Sequence, residues 1–436
     1  MSLRILSSSD IDTLTSHFQP QDLMLLMAKT FAVFSNANFN AGSKSTSQSN
    51  FKTGSSSNSN SGSKSNSTTS VSAPQRVSIT TPNHTVLFMP ARIQADLTIP
   101  TASSTRTTHT TTTTNINTIQ NAPAPGHTSI KIVSVPQTSD PRGLPATTVV
   151  VDERSGAIKA VVNARKLTAL RNAAASLLST TLTGPAHPRT ITAFGAGKQI
   201  EAHLELHIRH FPSIHTCTVI NRSHNERARS LYSSLKEKYP NILFTLLFSE
   251  SQSNQTANEA ENSNKAIESA VSNADIVMCA TSSTKPLFPS SWVRTHTHVI
   301  LIGSYTPAMR EVDSDLVRRA RVASPAVSNT SGPLVLVDSR EACLKEAGEM
   351  IDAGLGSGEM MEIGELVLLG LEDDKEVNGF DGIVKGLKRV DREGFNGPVT
   401  IFKSVGVGIQ DVAIANAVVE EAEKHGVGVV LHDYDV

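Results

Sequence analysis

Two positive charges lie in segments of the sequence that are otherwise mostly apolar. Lys131 stands among isoleucines and valines in a strand-like run at residues 129–135. Arg171 falls on the apolar face of a helix predicted over residues 164–182. An unpaired charge is costly to bury, so each cation is expected to meet an anion. That anion is either a protein carboxylate in a salt bridge or the carboxylate of a substrate that both cations bind.

A strand, a glycine turn and a helix are predicted one after another across residues 190–203. Gly195 allows a tight turn, Gly197 lets the backbone approach a pyrophosphate, and the helix after it offers free N–H groups to phosphates. Ile200 stands where this motif usually has its third glycine. The pattern indicates either a dinucleotide site or a purely structural turn. We predict the first, with the cofactor contacted by Gly195, Ala196, Gly197, Lys198 and Gln199.

The end of the next predicted strand distinguishes between the two nicotinamide dinucleotides. It reads Asn221-Arg222-Ser223 and lacks the Asp or Glu that binds the ribose 2′-hydroxyl of NAD. A guanidinium and a hydroxyl suit the extra 2′-phosphate of NADP instead. We therefore assign these three residues to NADP(H), with NAD(H) less favoured. The alternative is a solvated arginine that happens to follow a strand.

Several acids and the histidines are interpreted as structural residues and not as catalytic or metal-binding ones. Asp411 opens a helix predicted over residues 411–425, where an aspartate is most often an N-cap. Glu311 and Asp313 flank another helix start and are interpreted as capping residues. The glycine-rich loop at residues 404–408 is a candidate for packing against a nicotinamide ring. The histidines show no pair at metal-binding spacing in a helix with acidic support, so we predict no metal.

The composition limits the class of protein. Of the 436 residues, 38% are hydrophobic and 18% charged, both low for a globular chain. Tracts rich in Ser, Thr and Asn at residues 35–73, 101–121 and 249–264 are predicted to be insertions without a packed core. The net charge of −1 gives no basic field for nucleic acid or an anionic membrane. Three singly placed cysteines, Cys217, Cys279 and Cys343, and no apolar run near the roughly 20 residues of a membrane span favour the cytoplasm.

The order of predicted elements indicates an α/β fold. Strand-like runs at residues 85–89, 129–135, 147–151 and 158–162 predict a sheet-rich first region. From residue 189 onwards, short apolar strands alternate with helices, which is typical of a doubly wound parallel sheet.

Taken together, these motifs resemble those of the ornithine cyclodeaminase/mu-crystallin family. The matching pieces occur in family order at residues 89–91, 131–133, 167–174, 195–199, 302–307, 310–311, 346–349, 402–406 and 410–411. The resemblance implies a homodimer and assigns Arg76, Lys131 and Arg171 to a substrate carboxylate. It also places Ala280, Thr281, Ile302 and Ser304 at the cofactor.

The resemblance further implies how the chain is divided. The expected architecture is a central NAD(P)-binding Rossmann domain plus an α+β substrate-binding and dimerisation domain formed by both chain ends. Residues 1–184 form the second of these, with insertions at about 35–73 and 101–121. Residues 185–340 form the Rossmann domain, and residues 341–436 return to the first domain.

Two departures from the family pattern bear on the chemistry. Tyr305 and Leu87 stand where ornithine cyclodeaminases carry an Asp and a Glu. Releasing ammonia from an amino acid needs groups that manage protons, whereas a protonated cyclic imine needs orientation and a hydride. We therefore expect an NADPH-dependent reductase of cyclic α-imino acids, with Lys131, Arg171 and Tyr305 as its catalytic residues. The alternatives are an ornithine cyclodeaminase using NAD, an amino-acid dehydrogenase, and an NADPH-dependent small-molecule binding protein.

Overall fold

The computed structural model describes residues 2–46, 71–94, 126–136, 144–250, 257–321, 335–372 and 397–434. Its strands are β1 (Leu3–Leu6), β2 (Val71–Ser72), β3 (Val77–Thr80), β4 (His84–Gln94), β5 (Gly126–Pro136), β6 (Ala146–Val151), β7 (Ile158–Asn163), β8 (Thr190–Phe194), β9 (Thr216–Asn221), β10 (Leu243–Phe248), β11 (Ile276–Cys279), β12 (His298–Leu301), β13 (Val335–Val337), β14 (Met360–Glu362), β15 (Thr400–Lys403) and β16 (Val429–Leu431). Its α-helices are α1 (Ser8–Ser16), α2 (Pro20–Thr46), α3 (Arg165–Thr183), α4 (Lys198–His210), α5 (Glu226–Lys238), α6 (Ala257–Ser272), α7 (Ser314–Arg318), α8 (Arg340–Glu346), α9 (Gly348–Asp352), α10 (Ile363–Glu372) and α11 (Gly408–His425).

The first sheet has the strand order β16-β1-β7-β6-β5-β4-β2, with β3 paired to β4. Its strands are antiparallel except for β1 and β7. The register sets Met89 opposite Lys131 and Leu87 opposite Val133. Because alternate residues of a strand share a face, Lys131 and Val133 point to the same side of the sheet. Helix α11 packs on this side.

The second sheet is parallel throughout, in the order β10-β9-β8-β11-β12-β15-β13-β14. Chain order runs outwards from β8 through β9 to β10 on one side and from β11 to β12 on the other, where β15 then lies between β12 and β13. Such a reversal leaves a crevice at the carboxyl ends of the two central strands, where α/β proteins bind ligands. The predicted α/β class with a Rossmann domain is confirmed.

The carboxy-terminal segment contributes to both sheets. Strands β14 and β15, which lie beyond residue 340, extend the parallel sheet. Within the described residues of this segment, α11 and β16 return to the first sheet and α10 packs against α2. The sheet pairing therefore differs from the predicted division, in which all of residues 341–436 return to the first domain.

Helix α3 is held against α4 by buried histidines. His203 Nε2 lies 2.9 Å from Ser176 Oγ, and His207 Nε2 lies 3.0 Å from Thr180 Oγ1. Burial lowers the pKa of His203 to about 4, so this side chain is neutral near pH 7. The contact fixes the helix that carries Arg171 against the helix that follows the glycine turn.

Three sequence-based boundaries are corrected by the structure. Helix α2 continues to Thr46, so the polar tract does not begin at Ser35, which is buried and donates to Glu362 Oε2 at 2.8 Å. Helix α6 covers the second half of the tract predicted at residues 249–264. The single helix predicted at residues 342–350 is two, α8 and α9, because Ala347 has extended backbone between them.

The tract at residues 101–121 lies outside the described residues, as do residues 47–70 of the first tract. None of the helices in the described part of the chain combines the length and hydropathy needed to cross a lipid bilayer.

Candidate active site

A cavity of about 680 Å3 lies where the carboxyl ends of β8, β11 and β12 face β4 and β5. Most of the predicted site residues line it: Arg76, Lys131, Arg171, Gly195, Ala196, Gly197, Gln199, Asn221, Arg222, Ser223, Ala280, Thr281, Ile302 and Tyr305. The structure therefore brings the two predicted sites, for cofactor and for substrate carboxylate, to one cavity.

Two predicted cofactor residues do not line this cavity. Ser304 is fully buried, and its hydroxyl donates to Glu349 Oε1 at 2.5 Å while its carbonyl oxygen accepts from Lys403 Nζ at 2.6 Å. Lys198 points outwards and pairs with Glu201 at 2.6 Å. Their sequence neighbours line the wall, but these two side chains turn away from it.

The glycine turn has a backbone that only glycine adopts easily. Gly195 has φ +110°, and a Cβ there would lie 2.9 Å from the carbonyl oxygen of Ala280. Gly197 precedes α4, and no side chain caps the first N–H groups of that helix. A Cβ at Gly197 would meet no protein atom within 4 Å. The turn therefore presents bare backbone and helix N–H groups to the cavity, an arrangement that suits a pyrophosphate.

The outer end of the cavity, beyond β9, carries a loose ion pair. Arg222 is largely exposed and lies 3.3 Å from Glu250, which is also exposed and follows β10. Arg227, in the first turn of α5, lines the same end. Sequence reasoning missed Arg227; the signal was a second cation five residues after Arg222, in the helix that follows the strand.

Lys131 and Arg171 meet on one buried carboxylate. Asp411 Oδ2 lies 2.8 Å from Lys131 Nζ, and Asp411 Oδ1 lies 3.2 Å from Arg171 Nε. All three residues are 2% exposed. Arg171 Nη1 also donates to Gln410 Oε1 at 2.5 Å. The open question about the two cations is thus partly answered, since both have a protein carboxylate as a partner.

The N-cap interpretation of Asp411 is wrong. Helix α11 begins at Gly408, so Asp411 lies inside its first turns, and Gln410 Oε1 accepts from the N–H of Val407 at 3.2 Å instead. Asp411 is therefore available to hold the cations. Asp313, by contrast, caps α7, with its Oδ1 accepting from the N–H of Leu316 at 2.8 Å.

Burial and neighbouring charges set the protonation of Lys131. Burial lowers its pKa to about 8, Asp411 opposes that change, and Arg171 and Arg76 reinforce it. The ammonium is therefore charged near pH 7 and becomes neutral at moderately alkaline pH.

Arg76 completes the group of cations. It forms an ion pair with Glu346, to whose Oε1 its Nε donates at 3.2 Å. Its pKa is lowered by burial and by the charge of Arg171, while Asp338 and Tyr305 act in the opposite direction. Arg76 therefore lies within electrostatic reach of both Arg171 and Tyr305.

The charges are distributed unevenly between the cavity wall and the layer behind it. We call the part of the cavity lined by Arg76, Leu87, Lys131, Arg171 and Tyr305 its inner end. Asp411 and Glu346 touch these cations but do not line the cavity. Among the described residues, no carboxylate lines the inner end, so its surface is cationic.

Both positions at which the sequence departs from the cyclodeaminase pattern face the cavity. Leu87 and Tyr305 line its inner end. Burial raises the pKa of Tyr305, so its hydroxyl is protonated near neutral pH. The inner end thus offers a hydroxyl and an apolar side chain where two carboxylates were expected.

A second buried acid fixes the loop after β15. Asp338 Oδ2 accepts from Ser404 Oγ and from the N–H of Gly406, both at 2.7 Å. Gly406 has φ +82°, and a Cβ there would lie 2.8 Å from Arg171 Nη1. Ser404 and Val405 line the cavity. Sequence reasoning missed Asp338 because an acid after a short strand carries no motif of its own.

No group of His, Cys, Asp or Glu in the described residues is arranged to hold a metal ion. The three cysteines are buried, and burial raises the pKa of Cys217 to about 12. They are therefore thiols without nucleophilic character near pH 7.

Comparison with known proteins identifies relatives of this architecture. The model of the ornithine cyclodeaminase/mu-crystallin family matches residues 103–243 and 248–426. A ketimine reductase mu-crystallin from Macropus fuliginosus is 26% identical over 272 residues, covering 62% of this chain and 68% of that protein. A Δ1-pyrroline-2-carboxylate reductase from Bacillus cereus is 27% identical over 287 residues, covering 64% and 71%.

Solved structures show the same fold. A Δ1-pyrroline-2-carboxylate reductase from Thermococcus litoralis, solved in complex with NADH and L-proline, superposes with a TM-score of 0.65 at 20% identity. The match covers 98% of this chain and 99% of the other.

The shared carboxylate gives an asymmetric expectation for stability. Asp411→Asn leaves two buried cations without a counter-charge and should lower the free energy of unfolding by about 3–5 kcal/mol. Lys131→Met, of similar volume, leaves Arg171 and Asp411 as a matched pair and should cost less. Urea unfolding of both variants near pH 7 measures the difference. Equal losses would show that Asp411 is not the common counter-ion.

Proposed function

This chain belongs to the ornithine cyclodeaminase/mu-crystallin family, and we propose that it is an NADPH-dependent reductase of cyclic α-imino acids of the pyrroline- or piperideine-2-carboxylate type. The family comprises NAD(P)-dependent oxidoreductases and cyclodeaminases that act on amino and imino acids. The observation that carries the proposal is the cationic inner end, which no carboxylate of the described residues lines and which adjoins the glycine turn.

The inner end suits a single carboxylate. Arg76, Lys131 and Arg171 present their charges to the cavity while Asp411 and Glu346 hold them from behind. Because the supporting acids already neutralise part of the charge, the cations remain fixed without a ligand. A bound carboxylate therefore adds hydrogen bonds without reorganising the wall, which is the condition for orienting a substrate precisely.

The glycine turn and the ends of β11 and β12 fit a nicotinamide dinucleotide. When bound, this cofactor supplies a hydride to the carbon of the C=N bond. The cations would hold the imino acid by its carboxylate at the inner end of the same cavity that Ile302 and Val405 line. The electron pair of the C=N bond moves to the nitrogen, which keeps the proton of the iminium form and becomes a secondary amine.

Proton donation by protein side chains has a limited part in this reaction. A protonated imine is already electrophilic, so the protein needs no strong acid at the nitrogen. Tyr305 is the hydroxyl at the inner end that can donate a hydrogen bond to the substrate. Cyclodeamination is less well supported, because Leu87 and Tyr305 provide no carboxylate to accept a proton from an amine.

The 2′-phosphate of NADPH has suitable partners at the outer end. Arg222, Ser223 and Arg227 line the cavity after β9, and Asn221 donates to the carbonyl oxygen of Ser223 at 2.7 Å. The Arg222–Glu250 pair is exposed, so water and salt weaken it and Arg222 can turn to a phosphate at low cost.

We also propose that the chain forms a homodimer through the open face of the first sheet. Phe88, Ile130, Ile132 and Val149 share the face opposite Lys131, as the strand register requires, and all are partly exposed. A continuous apolar sheet face of this kind favours burial against a partner. A second copy of the chain presents the same surface, so two-fold pairing is self-complementary.

The activity itself is tested with purified protein. NADPH absorbance should fall on adding pyrroline-2-carboxylate or piperideine-2-carboxylate, and Arg171→Ala should raise KM steeply with little change in NADPH affinity. Ornithine with sub-stoichiometric NAD should release no ammonia. Unchanged NADPH absorbance with both imines would refute the reductase, and ammonia release would favour the cyclodeaminase.

The pKa of Lys131 adds a pH dependence to this test. The ammonium is charged below pH 8 and loses its proton as the pH rises through about 8. Inhibition by pyrrole-2-carboxylate, whose ring nitrogen does not ionise in this range, should therefore weaken above pH 8. Lys131→Met should show weak inhibition at every pH. A wild-type inhibition constant that stays flat from pH 6 to 9.5 would contradict the role of Lys131.

Cofactor preference is tested at Arg222. Arg222→Ala removes a charged hydrogen-bond partner of the 2′-phosphate and should reduce kcat/KM for NADPH by about 10- to 100-fold, with little change for NADH. Arg229→Ala is the matched control, because Arg229 lies on α5, the helix that follows Arg222, and is exposed but does not line the cavity. Equal losses with both cofactors would rule out a 2′-phosphate contact.

The dimer is tested at the open face. Phe88→Glu places a charge in the proposed interface and should convert the sedimenting species from two chains to one. Leu243→Glu alters an apolar residue that is 65% exposed on the edge of the second sheet and should leave the mass unchanged. A wild-type chain that sediments as a monomer would overturn this assignment.

A further inference from the structure

Glu311 is fully buried directly behind the part of the cavity wall that Thr281 and Gly303 form. Its Oε1 accepts from the N–H of Thr281 at 2.6 Å and from Thr281 Oγ1 at 2.9 Å. Its Oε2 accepts from the N–H of Gly303 at 2.7 Å. Thr281 follows β11 and Gly303 follows β12, and both line the cavity. One carboxylate therefore joins the ends of two adjacent strands at the point where they meet the cavity.

The segment around Glu311 also holds the loop after β11. The N–H of Leu287 donates to the carbonyl oxygen of Glu311, and the N–H of Arg310 donates to the carbonyl oxygen of Ser283, both at 2.9 Å. Leu287 and Ser283 line the cavity. The wall at this end thus depends on Glu311 through both its side chain and its backbone.

The two strand ends approach each other very closely. A Cβ at Gly303 would lie 1.9 Å from the carbonyl oxygen of Thr281 and 2.5 Å from Glu311 Oε1. No side chain fits between them, and the backbone bond from the N–H of Ile302 to the carbonyl oxygen of Cys279 and the Glu311 carboxylate together hold them at this separation. A small change in the hydrogen bonds of the carboxylate is therefore passed directly to the cavity wall.

We propose that Glu311 is a positioning residue whose carboxylate sets the geometry of the Thr281 and Gly303 backbone for the nicotinamide cofactor, and that its protonation loosens the cofactor. As a carboxylate, Glu311 accepts three donors. A protonated carboxyl is a weaker acceptor than a carboxylate, so the bonds from the Thr281 and Gly303 N–H groups weaken when Glu311 takes up a proton. The inference rests on the proposed binding of a nicotinamide dinucleotide at this cavity.

The surroundings of Glu311 bring the pKa of its carboxyl close to neutral pH. Burial raises its pKa to about 7, Glu349 acts in the same direction, and Lys403 and the two backbone donors oppose them. Cys279, on β11, is a neutral thiol beside it because its own pKa is raised well above the usual value. Below pH 7 the carboxyl takes up a proton, and above pH 7 it is ionised.

The test is cofactor affinity as a function of pH. NADH is the probe, because it lacks the 2′-phosphate, which would titrate in the same range. For the wild-type protein, the Kd measured by nicotinamide fluorescence should rise by up to about tenfold between pH 8 and pH 6, the effect of one fully coupled proton. Glu311→Gln should give a weak Kd with no such pH dependence.

Asp313→Asn is the matched control. Asp313 lies two residues away and also accepts two backbone N–H groups, those of Leu316 and Ser290, but neither of these partners lines the cavity, whereas Thr281 and Gly303 do. This variant should lose stability and keep the wild-type pH profile. A merely structural role for Glu311 predicts that Glu311→Gln behaves in the same way, and that result would overturn the proposal.

A milder variant covers the case in which Glu311→Gln fails to fold. Thr281→Val removes the Oγ1 donor that favours the ionised form, so the inflection in Kd should move to higher pH. An unmoved inflection overturns the proposal. If NADH and NADPH both fail to bind the wild-type protein from pH 6 to 9, the proposed function falls as well, whereas binding without the Glu311-dependent profile removes this inference alone.

Discussion

The cost of burying Lys131 and Arg171 is the constraint around which the rest of the structure is arranged. Two cations that are 2% exposed need an anion, and Asp411 supplies it from a helix that belongs to the far end of the chain. To bring it there, the chain must leave the parallel sheet at β15 and pack α11 onto the first sheet. The packing of α11 onto the first sheet therefore also supplies the counter-charge of these two cations.

The same arrangement recurs around the cavity. Asp411, Glu346, Asp338 and Glu311 all lie behind the wall, and each holds something that lines it: a cation, a loop or the end of a strand. A buried acid satisfied by several donors is more rigid than a single contact between wall residues. Keeping these acids out of the cavity leaves its inner end cationic and apolar. That surface suits a ligand with one carboxylate and no second charge.

Much of the fold could be predicted from local pattern. The alternation of strands and helices after residue 189 and the turn at Gly195 predicted the parallel sheet and the position of its crevice, because both signals are local in sequence. The prediction that the polar tract begins at Ser35 was wrong, because composition does not reveal that Ser35 lies in α2 and donates a hydrogen bond to Glu362. Asp411 misled for the same reason: an aspartate near a helix start is usually a cap, and its actual partners are 280 and 240 residues away in the chain.

The sequence alone determined that Lys131 and Arg171 had to meet an anion, that residues 190–203 form a turn suited to a dinucleotide, and that no acid follows the second strand of that unit. These follow from residue type and spacing, which local energetics translate directly into structure. Tertiary structure decided which carboxylate pairs with which cation. It also decided that Ser304 turns inwards while Tyr305 faces the cavity, and that Glu311 joins two strand ends. Such pairings depend on contacts between segments far apart in the chain, and only the packed fold specifies them.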